Sequence, residues 1–329
     1  MTARRVLVTG AGGFIGSHLV EALLARGDEV RALIRYNGRG DAGALERTQT
    51  LPHIELISGD ITDPYAIQQA MKGCEVVFHL AALIAIPYSY VAPHSFFQTN
   101  TLGTVHVLEA ARREGVKRFV HVSTSEVYGT AQEVPIPETH PLVGQSPYAA
   151  SKIGADQAAE SYRRSFGVPV VTIRPFNAYG PRQSARAIIP TIITQALAYQ
   201  KVKLGSLLPT RDLTFAKDTA NGMLLASLAS EAAVGRTINL GNEKEITIQD
   251  LATKILGILQ ERGIQAELVH DAGRLRPKES EVERLCAKNQ LAKDLLGWAP
   301  QHTLTEGLRL TIEAMERELS YYKPGTYQR

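Results

Sequence analysis

Cysteine is scarce in this chain, and long apolar runs are missing. Two cysteines occur among 329 residues, and Cys74 and Cys286 have neither the spacing of a disulfide framework nor that of a metal site. We therefore expect a reducing compartment and no bound metal. No apolar run approaches the roughly 20 residues that span a membrane, and residues 1–5 pass directly into a strand, which leaves no room for a signal peptide. These absences predict a cytoplasmic protein with no membrane partner.

An excess of charge of either sign is also missing. The chain has 36 basic and 33 acidic side chains, which gives a formal net charge of +3. No basic run with interleaved aromatic residues appears, so no nucleic-acid partner is expected. Apolar residues make up 44% and charged residues 21% of the chain, which is typical of a globular protein. The length suffices for one large domain or two modest ones with a sizeable core.

The clearest local signal is a glycine-rich turn near the N-terminus. The apolar run 6–9 ends at Gly10, and Gly13 and Gly16 follow before an apolar helix that stops near 27–28. A strand, a glycine turn and a helix in this order place the helix N-terminus where backbone N–H groups can meet a pyrophosphate. The spacing GxxGxxG in this context predicts a dinucleotide-binding site.

The second strand, 29–34, bears on the choice between NAD and NADP. An acidic side chain often ends this strand and holds the ribose hydroxyls of NAD, but here Ile34 occupies that place and Arg35 follows. A guanidinium at this edge suits the 2′-phosphate of NADP. We therefore expect an NAD(P) cofactor, with a mild preference for NADP. The alternative is an exposed arginine that begins a polar loop.

Two later strands supply further candidates for cofactor contact. The strand 54–58 leads to Asp60, which could accept a hydrogen bond from the adenine amino group or cap the helix that starts near Pro64. The strand 76–80 leads into small residues that would let a cofactor approach the backbone, and His79 within it is expected to be buried and satisfied. The predicted cofactor-binding residues are Gly10, Gly13, Phe14, Ile15, Gly16, Arg35, Asp60, Ile61, Leu80, Ala81, Ala82, Ser123, Tyr148 and Lys152.

The predicted chemistry lies on a helix that begins after Ser146. Tyr148 and Lys152 are four residues apart, so both side chains emerge from one helix face. An ammonium beside a phenol lowers the pKa of the phenol. Tyr148 could then take a proton from a substrate hydroxyl while hydride leaves the same carbon.

The strand 118–122 ends in the polar run Thr124, Ser125 and Glu126. Ligands of open α/β sheets bind at the carboxyl ends of strands, so these side chains are expected to face the same cleft as Tyr148. Turn chemistry at a strand end is the alternative interpretation. The repeated strand–helix units predict an α/β fold, a Rossmann-type doubly wound parallel sheet with a smaller α/β C-terminal substrate lobe.

At this point the sequence resembles the extended short-chain dehydrogenase/reductase family of nucleotide-sugar enzymes, over nearly the whole chain. The matching segments are TGAGGFIG at 9–16, HLAA at 79–82, STSEVYG at 123–129, YAASK at 148–152, IRPFNAYGP at 173–181 and LGWAP at 296–300. The resemblance implies an NAD(P)-dependent enzyme with a nucleotide-sugar substrate. It also implies a homodimer that forms through the helices near 97–113 and 148–166.

The resemblance implies roles for individual residues. Tyr148 and Lys152 would form the catalytic pair, Thr124 would hydrogen-bond the sugar O4, and Asn177 would support the substrate diphosphate. Arginine side chains, which bind phosphate oxygens bidentately, would clamp that diphosphate. The arginines of this clamp are Arg211 and Arg276. The predicted catalytic residues are Thr124, Ser125, Glu126, Tyr148 and Lys152, and the predicted substrate-binding residues are Tyr88, Thr124, Asn177, Arg186, Arg211 and Arg276.

Within the family the chain is most similar to nucleotide-sugar 4,6-dehydratases, among them those of legionaminic acid biosynthesis and GDP-mannose 4,6-dehydratase. The resemblance implies oxidation at C4, elimination of water across C5 and C6 and return of hydride to C6, on a nucleotide-linked N-acetylglucosamine. Ser125 departs from the aspartic acid with which dTDP-glucose dehydratases protonate the leaving hydroxyl, so Glu126 is expected to act as both base and acid. The alternatives are a 4-epimerase, which would leave Glu126 idle, a UDP-glucuronate decarboxylase, and a non-catalytic dinucleotide sensor.

The sequence also predicts how the chain is divided. Residues 1–178 are expected to form the dinucleotide-binding Rossmann domain, together with a returning segment at about 213–241. Residues 179–212 and 242–322 are expected to form the nucleotide-sugar-binding lobe. Residues 323–329, with Pro324 and Gly325, are expected to be a tail.

Overall fold

Short parallel strands alternate with helices through the first two thirds of the chain. The structure is a computed structural model and describes residues 3–38, 40–46, 48, 51–271 and 283–322. The strands are β1 (Arg5–Thr9), β2 (Glu29–Ile34), β3 (Ile54–Ser58), β4 (Val76–His79), β5 (Arg118–Val122), β6 (Val170–Pro175), β7 (Asn177–Tyr179), β8 (Lys201–Leu204), β9 (Thr210–Phe215), β10 (Thr237–Leu240), β11 (Glu245–Thr247), β12 (Glu267–His270) and β13 (Arg284–Leu285).

The helices fall between these strands. They are α1 (Phe14–Arg26), α2 (Pro64–Met71), α3 (Ile86–Val91), α4 (Pro93–Phe96), α5 (Gly103–Glu114), α6 (Pro147–Phe166), α7 (Ile188–Tyr199), α8 (Ala216–Leu228), α9 (Ile248–Glu261), α10 (Gln290–Leu296) and α11 (Leu304–Arg317). A π-helical turn, Phe97–Leu102, leads into α5, and a 3₁₀ turn, Ser125–Tyr128, follows β5. No helix within the described ranges is both long and apolar enough to cross a membrane.

Seven strands form one parallel sheet in the order β10-β6-β5-β4-β1-β2-β3. The chain moves outwards from β1 through β2 to β3 and then returns with β4 to the other side of β1. Thr9, the last residue of β1, therefore pairs with Leu33 of β2 and with His79 of β4. A cleft forms outside the carboxyl ends of strands where the strand order reverses in this way. The prediction of a Rossmann-type doubly wound sheet is confirmed.

Helices cover both faces of the sheet. On one face α1 and α8 pack over an apolar cluster that includes Val8, Leu19 and Met223. On the other face α2, α5 and α6 pack over a cluster that includes Val77 and Val107. Burial of apolar area on both faces stabilises the sheet by roughly 25 cal/mol per Å² removed from water. The strand ends at the switch point are therefore held in a rigid frame.

A third apolar cluster lies outside this sheet. It joins α7, α9 and α11 through residues such as Ile193, Ile255 and Ile312. A small sheet of β11, β9 and β13, with β7 beside β9, lies next to it. β10 and α8, which come from the segment predicted to return, belong to the seven-stranded sheet and its covering layer. The domain boundaries given above stay a prediction.

Two helix caps bear on the predictions from the sequence. Ser146 accepts a hydrogen bond from the Ala149 N–H at 3.1 Å and α6 begins at Pro147, whose absent N–H costs nothing at that position. The expectation that Asp60 caps α2 is wrong. Asp63 caps this helix and accepts from the N–H groups of residues 65 and 66, because it stands directly before the first helical residue.

Candidate active site

A cleft of about 600 Å³ opens at the carboxyl ends of β1, β4, β5 and β6. It is lined by most of the residues predicted from the sequence to bind cofactor or to carry the chemistry. The predicted residues in its wall are Gly10, Gly13, Phe14, Ile15, Gly16, Arg35, Leu80, Ala81, Ala82, Ser123, Thr124, Ser125, Glu126, Tyr148, Lys152 and Asn177. Asp60 and Ile61 are not among the described residues that line the cleft. The fold therefore brings the glycine turn and the Tyr148 helix into one space.

The glycine turn has the geometry that a bound pyrophosphate requires. Gly10 has a φ of 71°, and a Cβ there would lie 2.8 Å from the Ala81 nitrogen. A Cβ on Gly16 would lie 2.2 Å from the Gly10 carbonyl oxygen, so only glycine allows this approach. The first turn of α1 has no acidic residue, and Gly13 offers no side-chain cap. The first N–H groups of α1 thus face the cleft as a site for an anion, which fits a dinucleotide.

A chain of hydrogen bonds fixes the small residues after β4. The Thr104 hydroxyl donates to the Asn100 carbonyl at 2.5 Å and accepts from His79 Nε2 at 2.9 Å. His79 Nδ1 therefore accepts from the Thr9 hydroxyl at 2.8 Å, and the Thr9 oxygen accepts from the Ala81 N–H at 3.2 Å. Burial lowers the pKa of His79 well below its ordinary value, so the ring is neutral. His79 is the buried, satisfied histidine that the sequence predicted.

Asn100 performs a similar role between the cleft wall and α6. Its Oδ1 accepts from the Leu83 N–H at 2.8 Å, and its Nδ2 donates to the Leu83 carbonyl at 2.9 Å and to Ser151 Oγ at 2.9 Å. Ser151 Oγ in turn donates to the Tyr148 carbonyl at 2.7 Å. Asn100 lies in the π-helical turn, whose register points this side chain inward. The sequence analysis assigned no role to Asn100.

Tyr148 and Lys152 lie one turn apart on the buried face of α6 and are 7% and 3% exposed. Lys152 Nζ donates to the Val122 carbonyl at 2.8 Å. Burial lowers the pKa of Lys152 to about 8, although the charge of Asp156 acts in the opposite direction. Burial also raises the pKa of Tyr148 above its usual range, against a hydrogen bond with Thr124. In the protein's own groups the pKa of Tyr148 is therefore raised rather than lowered, because burial dominates.

The polar run after β5 forms the opposite wall. Thr124 accepts a hydrogen bond from the Glu126 N–H at 3.2 Å and begins the 3₁₀ turn. Thr124 and Ser125 are buried, whereas Glu126 is half-buried, and all three line the cleft. The negative charge of Glu126 raises the pKa of Tyr148, which places the two groups within electrostatic reach. A phenol and a carboxylate therefore share the cleft.

A buried charged group that the sequence analysis did not identify lies next to Lys152 on α6. Asp156, one turn beyond Lys152, accepts hydrogen bonds from Ser123 Oγ at 2.9 Å and from Arg174 Nη2 at 2.8 Å. His121 Nε2 lies 3.0 Å from its other oxygen. Burial alone would raise the pKa of Asp156, but the hydrogen bond from His121 and the charge of Arg174 outweigh it and lower the pKa to about 2. The spacing 148, 152, 156 was the available signal.

The other end of the cleft carries charges of both signs. Arg35 is 78% exposed there, and its Nε lies 3.4 Å from Asp60 Oδ2. Asp41 also lines the cleft, and its Oδ1 accepts from the Gly43 N–H at 3.2 Å. The sequence missed Asp41 because it looked for a carboxylate at the end of β2. The loop that carries Asp41 returns to the glycine turn, where the Ala44 N–H donates to the Gly12 carbonyl at 2.9 Å.

The predicted substrate-binding residues are more dispersed. Asn177 lines the cleft, and its Oδ1 is buried without a protein partner among the described residues. Tyr88 is 46% exposed and lies outside the lining, with its ring centre 6.1 Å from that of Phe96 and tilted against it. Arg186 is exposed, and Arg211 Nη1 donates to the Thr210 carbonyl at 2.8 Å, so neither is part of the cleft wall. The predicted clamp residue Arg276 lies outside the described residues.

The loop after β7 adds Gln183 to the wall, and the sequence did not single it out. Gln183 Nε2 donates to the Ala178 carbonyl at 2.9 Å, while its Oε1 is buried without a protein partner in the described part of the chain. Arg182, directly before it, is bound to α1 through Glu21 at 2.6 Å and His18 Nδ1 at 2.6 Å. This contact holds the loop against the helix of the glycine turn.

Nearly the whole chain matches one family and its relatives. The model of the family described as GDP-mannose 4,6 dehydratase matches residues 7–311. The dTDP-glucose 4,6-dehydratase of Streptomyces antibioticus is 34% identical over 324 residues, which cover 97% of this chain and 94% of that protein. The UDP-glucose 4-epimerase of Mycolicibacterium smegmatis is 35% identical over 316 residues, which cover 94% of this chain and 97% of that protein.

The solved structures agree with this result. DesIV, a dTDP-glucose 4,6-dehydratase from Streptomyces venezuelae solved with NAD bound, superposes with a TM-score of 0.86 at 31% identity and covers 97% of this chain and 99% of its own. The bound NAD of that structure confirms the predicted dinucleotide cofactor at the level of the family. The chain belongs to the GDP-mannose 4,6-dehydratase family, among the nucleotide-sugar dehydratases and epimerases of the extended short-chain dehydrogenases/reductases.

Proposed function

We propose that this protein is a nucleotide-sugar 4,6-dehydratase that acts on a nucleotide-linked N-acetylglucosamine. The observation that carries the proposal is the position of Glu126, whose carboxylate lies in the same cleft as Tyr148 and Lys152. Oxidation at C4 needs only the phenol, the ammonium and the cofactor. Elimination across C5 and C6 needs a further base, and Glu126 supplies one.

Tyr148 is assigned the proton of the substrate O4 hydroxyl. Thr124, which hydrogen-bonds Tyr148 and also lines the cleft, would hold that O4 by a hydrogen bond. When bound, the nicotinamide supplies a hydride acceptor and donor, and in its oxidised form a positive charge that favours the phenolate. Lys152, whose Nζ is fixed on the Val122 carbonyl, would keep a second positive charge beneath the phenol.

Glu126 is assigned the elimination step. A ketone at C4 acidifies the C5 proton, and the Glu126 carboxylate would remove it. The protonated Glu126 would then give this proton to the C6 hydroxyl, which leaves as water. Ser125 is buried and far too weak an acid to do so, so one side chain serves as base and then as acid.

NAD is the cofactor that the cleft supports best. The Asp41 carboxylate in the wall would repel the 2′-phosphate of NADP, while Arg35 is drawn toward Asp60. The relative from Streptomyces venezuelae was solved with NAD. The sequence analysis favoured NADP because the pairing of Arg35 with Asp60 is not visible in the sequence.

We also retain the proposed division into a dinucleotide-binding domain and a nucleotide-sugar-binding lobe.

The reaction can be tested with a panel of nucleotide sugars. Purified protein would be incubated with UDP-N-acetylglucosamine, dTDP-glucose, GDP-mannose, UDP-glucose and UDP-glucuronate, and the products weighed by mass spectrometry. A product of the N-acetylglucosamine substrate that is lighter by one water supports the proposal. Loss of water from a different sugar would support the dehydratase activity but contradict the proposed substrate. Tyr148→Phe, which lacks the phenolic oxygen, serves as the inactive control.

A 4-epimerase is the second candidate, because an epimerase is as similar in sequence as a dehydratase: 35% identity against 34%. It would convert its substrate without change of mass, which chromatography resolves. A decarboxylase would release carbon dioxide from UDP-glucuronate. A dinucleotide sensor would convert none of the panel.

A further inference from the structure

Asp156 is a buried carboxylate that the proposed mechanism does not use. It is 6% exposed and lies on α6 one turn beyond Lys152. Its two oxygens meet donors from two strands: His121 and Ser123 at the end of β5, and Arg174 in β6. The Arg174 guanidinium is itself held 4.8 Å over the Tyr128 ring. One side chain thus joins the catalytic helix to the strand end that carries Thr124.

The charges around Lys152 make Asp156 important in a second way. Lys152 is 3% exposed, and its hydrogen bond goes to a neutral carbonyl. Burial lowers the pKa of His79 and of His121, so these rings face Lys152 without charge. Asp156 is the carboxylate whose negative charge favours the Lys152 ammonium. Arg174, its ion-pair partner, cancels part of that charge.

We propose that Asp156 is a positioning residue of the active site, which fixes α6 against the end of β5 and holds the Lys152 ammonium in its charged form by its own negative charge. This inference rests on the proposed function, in which Lys152 acts as a cation beside Tyr148. The groups from other elements that surround Lys152 and Asp156 are His79 from β4, His121 and Ser123 from β5, Arg174 from β6 and Tyr128 from the 3₁₀ turn.

The consequence is a measurable change in the titration of Lys152. Asp156→Asn keeps the size of the side chain and removes its charge, so the pKa of Lys152 should fall. An opposite charge at short range shifts a pKa by about one to three units, so a fall of about one unit is expected. The alkaline limb of the pH–rate profile should move to lower pH by a similar amount.

The titration can be measured without turnover. The full chain would be labelled with ¹³C at lysine Cε, the Lys152 signal assigned by its loss in Lys152→Arg, and its shift followed against pH. Glu160→Gln is the matched control, because Glu160 lies one further turn along α6 and binds Arg163 and Arg164 at the surface. This control should leave the titration of Lys152 unchanged.

Two more variants separate charge from structure. Asp156→Glu keeps the charge and displaces the hydrogen bonds, so it should lower kcat with little change in the titration of Lys152. Asp156→Asn with Arg174→Gln removes both charges, so that no buried guanidinium is left without a counter-ion if the single variant fails to fold. This double variant should still lower the pKa of Lys152.

The proposal is overturned if Lys152 titrates as in the parent in both charge-free variants, or if Asp156→Glu shifts it as far as Asp156→Asn. Full activity of Tyr148→Phe would overturn the proposed function instead. The effect of Asp156 on the titration of Lys152 does not depend on the result of that activity assay. The two failures are therefore distinguishable.

Discussion

Glu126 stands in the 3₁₀ turn after β5, in the wall of the cleft opposite α6. Glu126→Gln keeps its shape and removes the base. General acid–base catalysis is typically worth 10²–10⁴-fold, so elimination should slow by roughly that factor while proton transfer to Tyr148 survives. We expect a 4-keto sugar that has lost no water, together with slow growth of the absorbance of reduced nicotinamide. Absorbance and mass spectrometry measure the two.

Two controls define this experiment. Glu133→Gln makes the same change at an exposed position outside the cleft lining and should react at the parent rate. Tyr148→Phe should give neither the absorbance nor a product. If Glu126→Gln releases water as fast as the parent, Glu126 is not the base and the epimerase interpretation gains.

Arg35 and Asp41 carry opposite charges at the same end of the cleft. Arg35→Ala removes a positive charge that could bind the 2′-phosphate, so it should weaken the binding of NADP⁺ more than that of NAD⁺. Asp41→Asn removes a carboxylate that repels this phosphate, so it should strengthen the binding of NADP⁺ relative to that of NAD⁺. Isothermal titration gives both dissociation constants and therefore their ratio.

Arg31→Ala is the control for this pair. Arg31 does not line the cleft, and its Nε donates to Glu55 Oε2 at 2.8 Å. It should leave the ratio unchanged. Equal losses of NAD⁺ and NADP⁺ in Arg35→Ala would make Arg35 a stacking or surface residue. An unchanged ratio in Asp41→Asn would remove Asp41 from cofactor selection.

At the scale of elements, α1 and the loop after β7 are joined by His18. Its Nδ1 accepts from Arg182, so its Nε2 donates to the Pro181 carbonyl at 3.1 Å and the ring is neutral. Burial and then the charge of Arg182 lower the pKa of His18 to about 4. Between pH 4 and the ordinary value of 6.5, His18 is therefore protonated in the unfolded chain but neutral in the folded chain.

The free energy of unfolding should fall as the pH is lowered from about 6.5 to 4, and His18 would contribute up to about 3 kcal/mol of that loss. His18→Gln should make the protein less sensitive to pH in this window. Urea unfolding at several pH values measures it, with His94→Gln at an exposed position as the control. An equal slope in His18→Gln and the parent would contradict the assignment.

At the scale of the whole molecule, several large apolar side chains near α5 and α6 are exposed. Val91, Phe97, Leu102 and Phe166 are 78%, 43%, 47% and 55% exposed. Large apolar side chains exposed on this part of the molecule favour association of two copies. We expect a homodimer in solution, with twice the 35.9 kDa mass of the chain.

Light scattering after size exclusion tests this expectation. Leu102→Glu places a charge in the surface and should shift the protein toward the monomer mass. Leu310→Glu, at a residue of α11 that is 41% exposed, is the matched control and should leave the mass unchanged. A parent that elutes at the monomer mass at all concentrations would contradict the dimer.

Much of the cleft could be predicted because its signals are local. The glycine turn is a matter of backbone space within seven residues, and Gly16 shows the reason in its approach to the Gly10 carbonyl. Helical periodicity places Tyr148 and Lys152 on one face whatever surrounds them. The cap at Ser146 and the polar run after β5 are likewise set by neighbouring residues.

What the tertiary structure decided are the relations between distant segments. The strand order puts β1 beside β4, so His79 can hold Thr9 and through it Ala81. Sequence spacing could not show that Asp41 returns to the glycine turn or that Arg182 reaches α1.

The sequence by itself therefore determined the local geometry of the glycine turn, the caps and the Tyr148–Lys152 pair. Only the tertiary structure decided the charges around that pair, because the pKa of a buried group depends on burial and on neighbours that lie far away in sequence. Asp156 shows this most clearly, since its donors His121, Ser123 and Arg174 come from two other strands.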